Sequence, residues 1–202
     1  MVFRPARFQP SFGRVLTVVV SAVAIAALGG FLLTGDVDGL LRYGALPLLL
    51  IAVVWALFWA PELRVEEHAV TVRNVLRTHF VPWNAIQRID TRFSLTLYTA
   101  DGKIDVWAAP APSRYTVPSM TEHDARRVAE SARAAGGSIR PGDSLTSASG
   151  AAAHVIRLHW ELLRDEGALD AAPPHPVRVQ WHYGTAALLA VLTAAAISGL
   201  LL

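Results

Sequence analysis

The sequence predicts a mixed α+β membrane protein, with three membrane-spanning helices and an antiparallel β-sheet that is followed by helices. Three runs without charged side chains, Val15–Leu33, Gly44–Ala60 and Tyr183–Leu202, hold 19, 17 and 20 residues. The 122 residues between the second and third runs have the composition of a soluble domain. Within that segment, apolar residues first alternate with a period of two, as in strands, and later recur at helical spacing.

The three apolar runs have the lengths that membrane spans need. About 20 residues at a rise of 1.5 Å each cross a hydrocarbon core of roughly 30 Å. The first and third runs meet this length, and the second reaches it if Leu40–Tyr43 join it at the headgroup level. We therefore predict spans at about 15–33, 43–60 and 183–202. Because no Asp, Glu, Lys, Arg or His lies inside a run, autonomous ion or proton transport is not expected.

Small residues recur every four positions in two of the runs, a spacing that lets membrane helices approach closely. The spacing predicts that these residues form the helix-packing faces. They are Ala22, Ala26 and Gly30 in the first run, and Ala186, Ala190, Ala194 and Ser198 in the third.

The loop charges predict the topology. Residues 1–14 carry three arginines and no acid, whereas the loop 34–43 has a net charge of −1. Under the positive-inside rule, the N-terminus and residues 61–182 lie in the cytoplasm and the C-terminus lies outside. The prediction is thus a multi-pass protein of the plasma (inner) membrane. A cleavable signal peptide is the alternative for the first run, but its length exceeds the usual 7–15 residues and no A-x-A motif follows Leu33.

Composition and motifs argue against several functional classes. Residues 61–182 hold 14 basic and 14 acidic side chains, so they lack the positive excess that nucleic-acid binding requires. The absence of cysteine excludes disulfides, thiolate catalysis and cysteine-ligated metals. The seven histidines form no metal-ligand motif, and neither a nucleotide-binding nor a nucleophile motif occurs. We predict no enzyme, no catalytic residue, no metal, no cofactor and no nucleic-acid partner.

The first predicted strands follow the second run. Alternating apolar residues predict a hairpin that turns across Glu66–Ala69. Its inward-facing residues are Leu63, Val65, Val70 and Val72. Weaker strand patterns cover Thr78–Pro82 and Ala85–Arg92.

A second predicted hairpin spans Ser94–Trp107. The Asp101-Gly102 pair is typical of a two-residue type I′ turn, which would place Thr99 opposite Ile104 and Leu97 opposite Val106. In that register one face is apolar and the other is mostly polar. The apolar face consists of Leu95, Leu97, Ile104 and Val106.

Helical patterns follow the strands. Ser119–Glu122 is a capping box for a helix that ends at Gly136-Gly137, and Gly136–Gly150 has the composition of a loop. A second helix is predicted from about Ala151 to Glu166, with Gly167 as its stop. A short strand at Val177–Trp181 precedes the third span.

Residues Arg64–Trp107 resemble the bacterial pleckstrin-homology-like (PH-like) domain of actinobacterial membrane proteins, the type named for low-molecular-weight protein antigen six. The matching residues are Leu63-x-Val65, Val70-Thr71-Val72-Arg73-Asn74, Val81-Pro82-Trp83 with Ile86, and the Asp101-Gly102 hairpin leading to Val106-Trp107. The resemblance implies a strongly bent antiparallel β-sheet that is closed by a C-terminal helix.

With this resemblance, the chain divides into four predicted regions. Residues 1–60 form an N-terminal tail and a two-helix transmembrane hairpin, and 61–118 form the PH-like β domain. Residues 119–182 form a helical and loop extension, and 183–202 form the third transmembrane helix.

The predicted function is that of a membrane protein whose cytoplasmic PH-like module binds or tethers a protein, with the lipid bilayer as its other partner. One alternative is a peripheral lipid-sensing module, and another is an accessory subunit of a transporter or membrane enzyme. Lipid-binding members of the wider superfamily place basic residues in the first hairpin loop, but here that loop is Glu66-Glu67-His68. A weaker candidate for an interaction face is formed by Arg73, Arg77, Arg88 and Arg92.

Overall fold

The structure is a computed structural model that describes residues 5–111, 147–169 and 175–201. Within these ranges the chain forms two antiparallel sheets and five α-helices, so the mixed α+β class is confirmed. The strands are β1 (Ala6–Phe8), β2 (Glu62–Val65), β3 (Ala69–Arg73), β4 (Arg77–Pro82), β5 (Arg88–Asp90), β6 (Ser94–Thr99), β7 (Gly102–Pro110) and β8 (Arg178–Trp181). The α-helices are α1 (Ser11–Thr34), α2 (Val37–Tyr43), α3 (Ala45–Val54), α4 (Ala148–Asp165) and α5 (Tyr183–Leu201).

The chain separates into two compact units. The sheet unit comprises the described residues of Met1–Gln9, Glu62–Asn74 and Thr78–Gln180. The helix unit comprises Pro10–Pro61, Val75–Arg77 and the described residues of Trp181–Leu202. Each unit has its own packing.

The larger sheet of the sheet unit has five strands in the order β1-β2-β3-β4-β8. The first predicted hairpin is confirmed, because Leu63 lies opposite Val72 and Val65 lies opposite Val70. The N-terminal tail contributes β1, in which Arg7 lies opposite Arg64. A strand of three residues carries too little alternation to be recognised in a sequence.

The smaller sheet has the order β5-β6-β7, and its hairpin corrects the predicted register. Thr99 lies opposite Gly102 and Leu97 lies opposite Ile104, so the turn residues are Ala100 and Asp101. No non-glycine residue among those described has a positive φ, which excludes the type I′ turn that was predicted. From Thr96 to the turn the shift is two residues, so the side chains there keep their predicted faces, and the register is irregular between Ser94 and Thr96.

The core of the sheet unit lies between the two sheets and α4. The inward-facing residues of both predicted hairpins are buried there, together with Val81 and Trp83 from the following segment. Helix α4 closes the core with Ala152, Ala153 and Ile156. The resemblance implies one strongly bent sheet that is closed by a C-terminal helix, whereas the described residues form two antiparallel sheets, with α4 packed against the core between them.

Helix α4 begins three residues earlier than predicted. The Ser147 side chain accepts a hydrogen bond from the Gly150 backbone N–H at 2.9 Å and caps the helix, so Ser149 and Gly150 are helical. The composition of this stretch favoured a loop, but the serine cap starts the helix. The predicted stop is confirmed, since Gly167 has a φ of 70°. The helix predicted from Ser119 lies outside the described residues, as does most of the Gly136–Gly150 loop.

The helix unit contains the three apolar runs. Helices α1 and α5 are long and apolar enough to cross a membrane. The second run forms α3 and the π-helical turn Trp55–Trp59, and α2 precedes it with a bend of 42° between Tyr43 and Ala45. The described residues therefore hold two apolar helices of spanning length, or three if the bent pair counts as one span.

Small residues do mediate packing within the helix unit, but not the ones predicted. The predicted four-residue repeats in α1 and α5 are exposed. Buried small or polar positions of the helix unit include Thr17, Ala24, Ala56, Ala196 and Gly199 instead. A Cβ atom at Gly199 would overlap the carbonyl oxygen of Arg42, which explains why glycine stands there. In an alanine-rich helix several faces carry small residues, so the sequence repeat alone does not select one.

Candidate functional site

The four arginines of the predicted interaction face are distributed over several elements. Arg73 ends β3, and its buried Nε atom has no hydrogen-bond partner among the described residues. Arg77 begins β4 and lies 5.6 Å from the Trp181 ring centroid, in the helix unit. Arg88 and Arg92 lie beside the rings of Tyr98 and Phe93, at 3.9 and 5.0 Å from their centroids. A common face for all four remains a prediction.

A tighter cluster of charges lies on the five-stranded sheet, on the face turned away from the core. Its centre is Glu62, whose side chain is only 4% exposed. The Glu62 carboxylate pairs with Arg7 from β1 and with Arg64 from its own strand. The Arg64 guanidinium donates from Nε to one carboxylate oxygen at 2.6 Å and from Nη2 to the other at 3.2 Å. We call Arg7, Glu62, Arg64 and Arg73 the arginine cluster.

Strand geometry brings these side chains together. Residues two apart on a strand point to the same face, so Glu62 and Arg64 are neighbours. The register places Arg7 opposite Arg64 on one side and Arg73 opposite Glu62 on the other. Directly opposed side chains have Cβ atoms about 4.5–5.5 Å apart, and like charges at that distance repel. The single carboxylate offsets the repulsion between Arg7 and Arg64.

The pKa of Glu62 depends on two opposing effects, its burial and the two arginines beside it. Burial alone would raise the pKa of the carboxyl, but hydrogen bonds and charge attraction from Arg64 and Arg7 outweigh burial and lower it. The pKa of Arg64 is raised, mainly by its hydrogen bonds to Glu62. Glu62 is therefore ionised at neutral pH, and both guanidinium groups are held in place by it.

The arginine cluster was missed in the sequence analysis. The Glu62-Leu63-Arg64 spacing on a predicted strand could have indicated the Glu62–Arg64 pair. Arg7 could not have been found, because its strand was not recognised. Arg73 was singled out, but with arginines of other strands.

Trp83 holds the first hairpin loop in place through hydrogen bonds to the loop backbone. The Trp83 indole N–H points at the backbone oxygens of Glu66 and Glu67, at 3.1 and 3.0 Å. The ring of His159 from α4 packs edge-on against Trp83, with centroids 4.7 Å apart. The Val81-Pro82-Trp83 element of the resemblance thus has a structural role, in that Trp83 closes the loop.

Asn74 joins the two sheets. Its amide nitrogen donates to the Asp105 carbonyl oxygen at 2.8 Å, and its amide oxygen accepts from the Trp107 N–H at 3.0 Å. The Asn74 side chain, just beyond the end of β3, thereby makes the pair of backbone hydrogen bonds with β7 that a neighbouring strand would make. Asn74 belongs to the motif that carries the resemblance, and this bridge explains why an amide is needed there.

The smaller sheet exposes two large aromatic side chains. Phe93 is 75% exposed and precedes β6, whereas Trp107 is 51% exposed and belongs to β7. The Phe93 carbonyl accepts a hydrogen bond from the Ala111 N–H at 3.2 Å, so this end of the hairpin is closed by backbone pairing. Aromatic residues and arginine are the side chains most enriched at binding hot spots.

Within residues 5–111, 147–169 and 175–201, no group of three or more histidine or acidic side chains is placed to hold a metal ion. His159 interacts with Trp83 and with the Glu67 carbonyl, at 3.4 Å from Nε2. Trp160 on the same helix packs against the core. These side chains have structural partners, and the absence of a metal and a cofactor stays a prediction.

Residues 60–138 match the family model of the bacterial PH domain, which confirms the predicted resemblance to a bacterial PH-like domain protein. PH domains are typically non-catalytic interaction modules. No curated protein and no solved structure matches the sequence.

Proposed function

We propose that this bacterial PH-domain protein is a multi-pass plasma membrane protein that displays its PH-like module in the cytoplasm to bind and tether a protein partner. In this proposal the bent α2–α3 element is the second of three spans. The N-terminus and residues 61–182 are cytoplasmic and the C-terminus is outside. The protein has no enzymatic activity of its own.

The membrane part of the proposal rests on the helix unit, whose surface is apolar where that of a soluble domain is polar. Its large apolar side chains face outward, as with Leu33 at 91% exposure and Val191 at 66%. Soluble proteins rarely expose apolar surface of this extent, whereas lipid solvates it. The loop charges then orient the spans by the positive-inside rule.

The binding part of the proposal is supported by the family match and by the exposed aromatic residues. PH domains act through surfaces. Phe93 and Trp107 expose large rings on the smaller sheet, and Arg92 lies beside the Phe93 ring. Anchors of this composition fit a protein surface that buries them.

Site-specific photocrosslinking in living cells tests the binding surface. A photoreactive phenylalanine analogue would replace Phe93 or Trp107 in the full-length chain, and Lys103 on the same hairpin would be the control position. We expect one discrete crosslinked protein band at 93 and 107 that is absent at 103. A uniform pattern at all three positions would contradict a protein-binding surface there.

A second candidate function is lipid sensing, and the arginine cluster is the observation that favours it. Cationic side chains near a membrane are attracted by anionic lipids, by about 1 kcal/mol for each residue. The two functions are compatible, because the aromatic residues belong to the smaller sheet and the arginine cluster to the larger one.

A further inference from the structure

We propose that the π-helical turn Trp55–Trp59 is a joint that can adopt two hydrogen-bond registers, π and α, and that α1 holds it in the π register. The turn lies at the end of the second apolar run, just before the chain enters β2. The inference goes beyond the proposed function, because it concerns how the packing of the helix unit regulates the chain that leads into the PH-like module. All the contacts that carry it lie within the helix unit.

The hydrogen bond that closes the turn defines its register. The Ala60 backbone N–H donates to the Trp55 carbonyl oxygen at 2.9 Å, five residues earlier, whereas an α-helix would pair it with the Ala56 carbonyl oxygen. The turn therefore holds one residue more than an α-helical turn does. A return to α bonding would rotate the following residues by about 100° and move them by about 1.5 Å along the helix axis.

The sequence of the turn does not require the π register. The segment Trp-Ala-Leu-Phe-Trp contains neither proline nor glycine, and alanine and leucine are strong α-helix formers. Pro61 lies beyond the turn, where its ring disfavours continuation of the helix into β2. We therefore attribute the register to contacts with a neighbouring helix.

Helix α1 contacts the turn through Gly13 and Arg14. A Cβ atom at Gly13 would lie 3.0 Å from both the Cβ atom and the carbonyl oxygen of Phe58, which leaves little room for a larger residue. The Arg14 guanidinium carbon lies 5.3 Å from the ring centroid of Trp59, within the range of a cation–π interaction. Both contacts depend on the place that the extra residue of the turn gives to Phe58 and Trp59.

Thr17 lies one helical turn after Gly13 and is a buried polar residue in an apolar helix. Its hydroxyl donates to the Gly13 carbonyl oxygen at 2.8 Å and also lies 3.3 Å from the Val54 carbonyl oxygen. Val54 immediately precedes the turn, where the change from α to π bonding alters the donors that reach carbonyl groups. In apolar surroundings, hydroxyl groups of neighbouring helices satisfy such carbonyls. Thr17 is therefore a positioning residue for the π register.

The joint links helix packing to the chain that enters β2. The π register is favoured while Gly13, Arg14 and Thr17 contact the turn. Because α bonding is far more common than π bonding, loss of these contacts favours the α register. A ligand or partner that binds the two registers unequally would shift the equilibrium between them.

Disulfide trapping of the full-length protein in membranes tests the two registers. The chain has no cysteine, so engineered pairs form without background. Cβ atoms at positions 13 and 58 would be 3.0 Å apart in the π register, close to the separation of about 3.5–4.5 Å in a disulfide. Removal of the extra residue would bring position 57 there instead. We expect Gly13→Cys/Phe58→Cys and Gly13→Cys/Leu57→Cys both to form intramolecular disulfides on oxidation, and formation of the first alone would overturn the proposal.

A third pair is the matched control for unspecific flexibility. Gly13→Cys/Trp59→Cys is displaced by one residue in the other direction, and neither register brings its two positions together. All three pairs share the Gly13→Cys change, so their rates are directly comparable. Equal rates for the pairs with positions 57 and 59 would overturn the proposal in favour of general mobility of the turn.

A threonine variant tests the role of α1. Thr17→Val keeps the size of the side chain but removes the hydroxyl, and we expect it to raise the 13–57 rate relative to the 13–58 rate by about fivefold, which corresponds to the loss of one hydrogen bond. Thr193→Val is the control, because that hydroxyl donates to the Leu189 carbonyl oxygen of its own helix at 2.7 Å and is exposed. A shift in Pro61→Ala but none in Thr17→Val would assign the register to the proline and overturn the role of α1.

Photocrosslinking at Phe93 in the two trapped forms tests the regulation. Because the structure has the π register, we expect the form with the 13–57 disulfide to lose most of the crosslinked product that the form with the 13–58 disulfide gives. Equal yields would overturn the regulatory role. If the untrapped protein gives no crosslinked product, the proposed protein partner is overturned, whereas the rates of the disulfide pairs still decide whether the joint exists.

Discussion

The two units of this protein place apolar side chains in opposite ways. In the sheet unit, Leu97 and the other inward-facing residues of the strands are fully or almost fully buried, as in a soluble domain. In the helix unit, large apolar residues such as Leu33 and Val191 face outward, while small or polar residues such as Ala24 and Thr17 are among the buried positions. The buried apolar side chains of the sheet unit match water as the solvent, and the outward apolar side chains of the helix unit match hydrocarbon. The same residue type should therefore matter in different ways in each unit.

The largest expected effect comes from a leucine truncation in the sheet unit. Leu97 is fully buried, so Leu97→Ala should lower the free energy of unfolding by about 2–5 kcal/mol through lost burial and a cavity. The matched variant Leu33→Ala changes a side chain that is 91% exposed and should leave the unfolding transition of the sheet unit in place. Thermal unfolding of the full-length protein in detergent measures both. Equal shifts of the unfolding temperature in the two variants would contradict the difference between the two units.

The second expected effect concerns the solvent of the helix unit. Val191→Asp should disfavour insertion of α5 by about 3 kcal/mol, since an ionised carboxylate at the centre of a span is costly. A periplasmic reporter fused after Leu202 should lose most of its activity. Val179→Asp, in exposed strand β8, should leave the reporter active. If the reporter stayed active in both variants, α5 would not cross the membrane.

The third expected effect tests the corrected hairpin. Gly102 has a φ of 128°, which a β-branched residue resists, so Gly102→Val should destabilise the sheet unit by about 1–3 kcal/mol. Gly184 in the helix unit has open space around it and an ordinary φ, which makes Gly184→Val the control. Chemical denaturation of the full-length protein measures both variants. An unchanged midpoint for Gly102→Val would mean that the turn is still misplaced.

The correct and the incorrect predictions for the two hairpins have the same physical origin. Strand alternation has a period of two, so it identified which residues of both hairpins are buried although the second register was wrong by two positions. Turn chemistry was the weaker guide, since Asp101-Gly102 is typical of a type I′ turn but Gly102 begins the strand here.

Charge patterns were predicted less well than apolar ones. Alternation does not reveal which strands become neighbours, so the arginine cluster could not be assembled from strands whose order was unknown. The short β1 strand, with Arg7 at its centre, lies in a tail whose composition gives no strand pattern. The Asn74 bridge between the sheets likewise depends on tertiary structure.

The smallest expected effect is a pH dependence of the sheet unit. The pKa of Glu62 is lowered in the folded state, so its ion pairs stabilise the fold above the ordinary carboxyl pKa of 4.5, and this contribution is lost as the pH falls through the folded value. Wild type should be more stable than Glu62→Gln at pH 7, and the difference should shrink below about pH 4.5. Unfolding temperatures measured from pH 7 to pH 3 provide the test. A difference that stays constant over this range would contradict the ion-pair account.

The central claim is that lipid covers the outward apolar surface of the helix unit. The chain has no cysteine, so single-cysteine variants can be labelled in cells with a membrane-impermeant maleimide. Val191 is 66% exposed and the Lys103 side chain is 66% exposed, so neither position is shielded by the protein, and the proposal gives them different solvents. Lys103→Cys should be labelled only after the membrane is permeabilised, Asp38→Cys should be labelled in intact cells, and Val191→Cys should stay unlabelled until detergent removes the lipid. Labelling of Val191→Cys at the same rate as Lys103→Cys in permeabilised cells would contradict the claim.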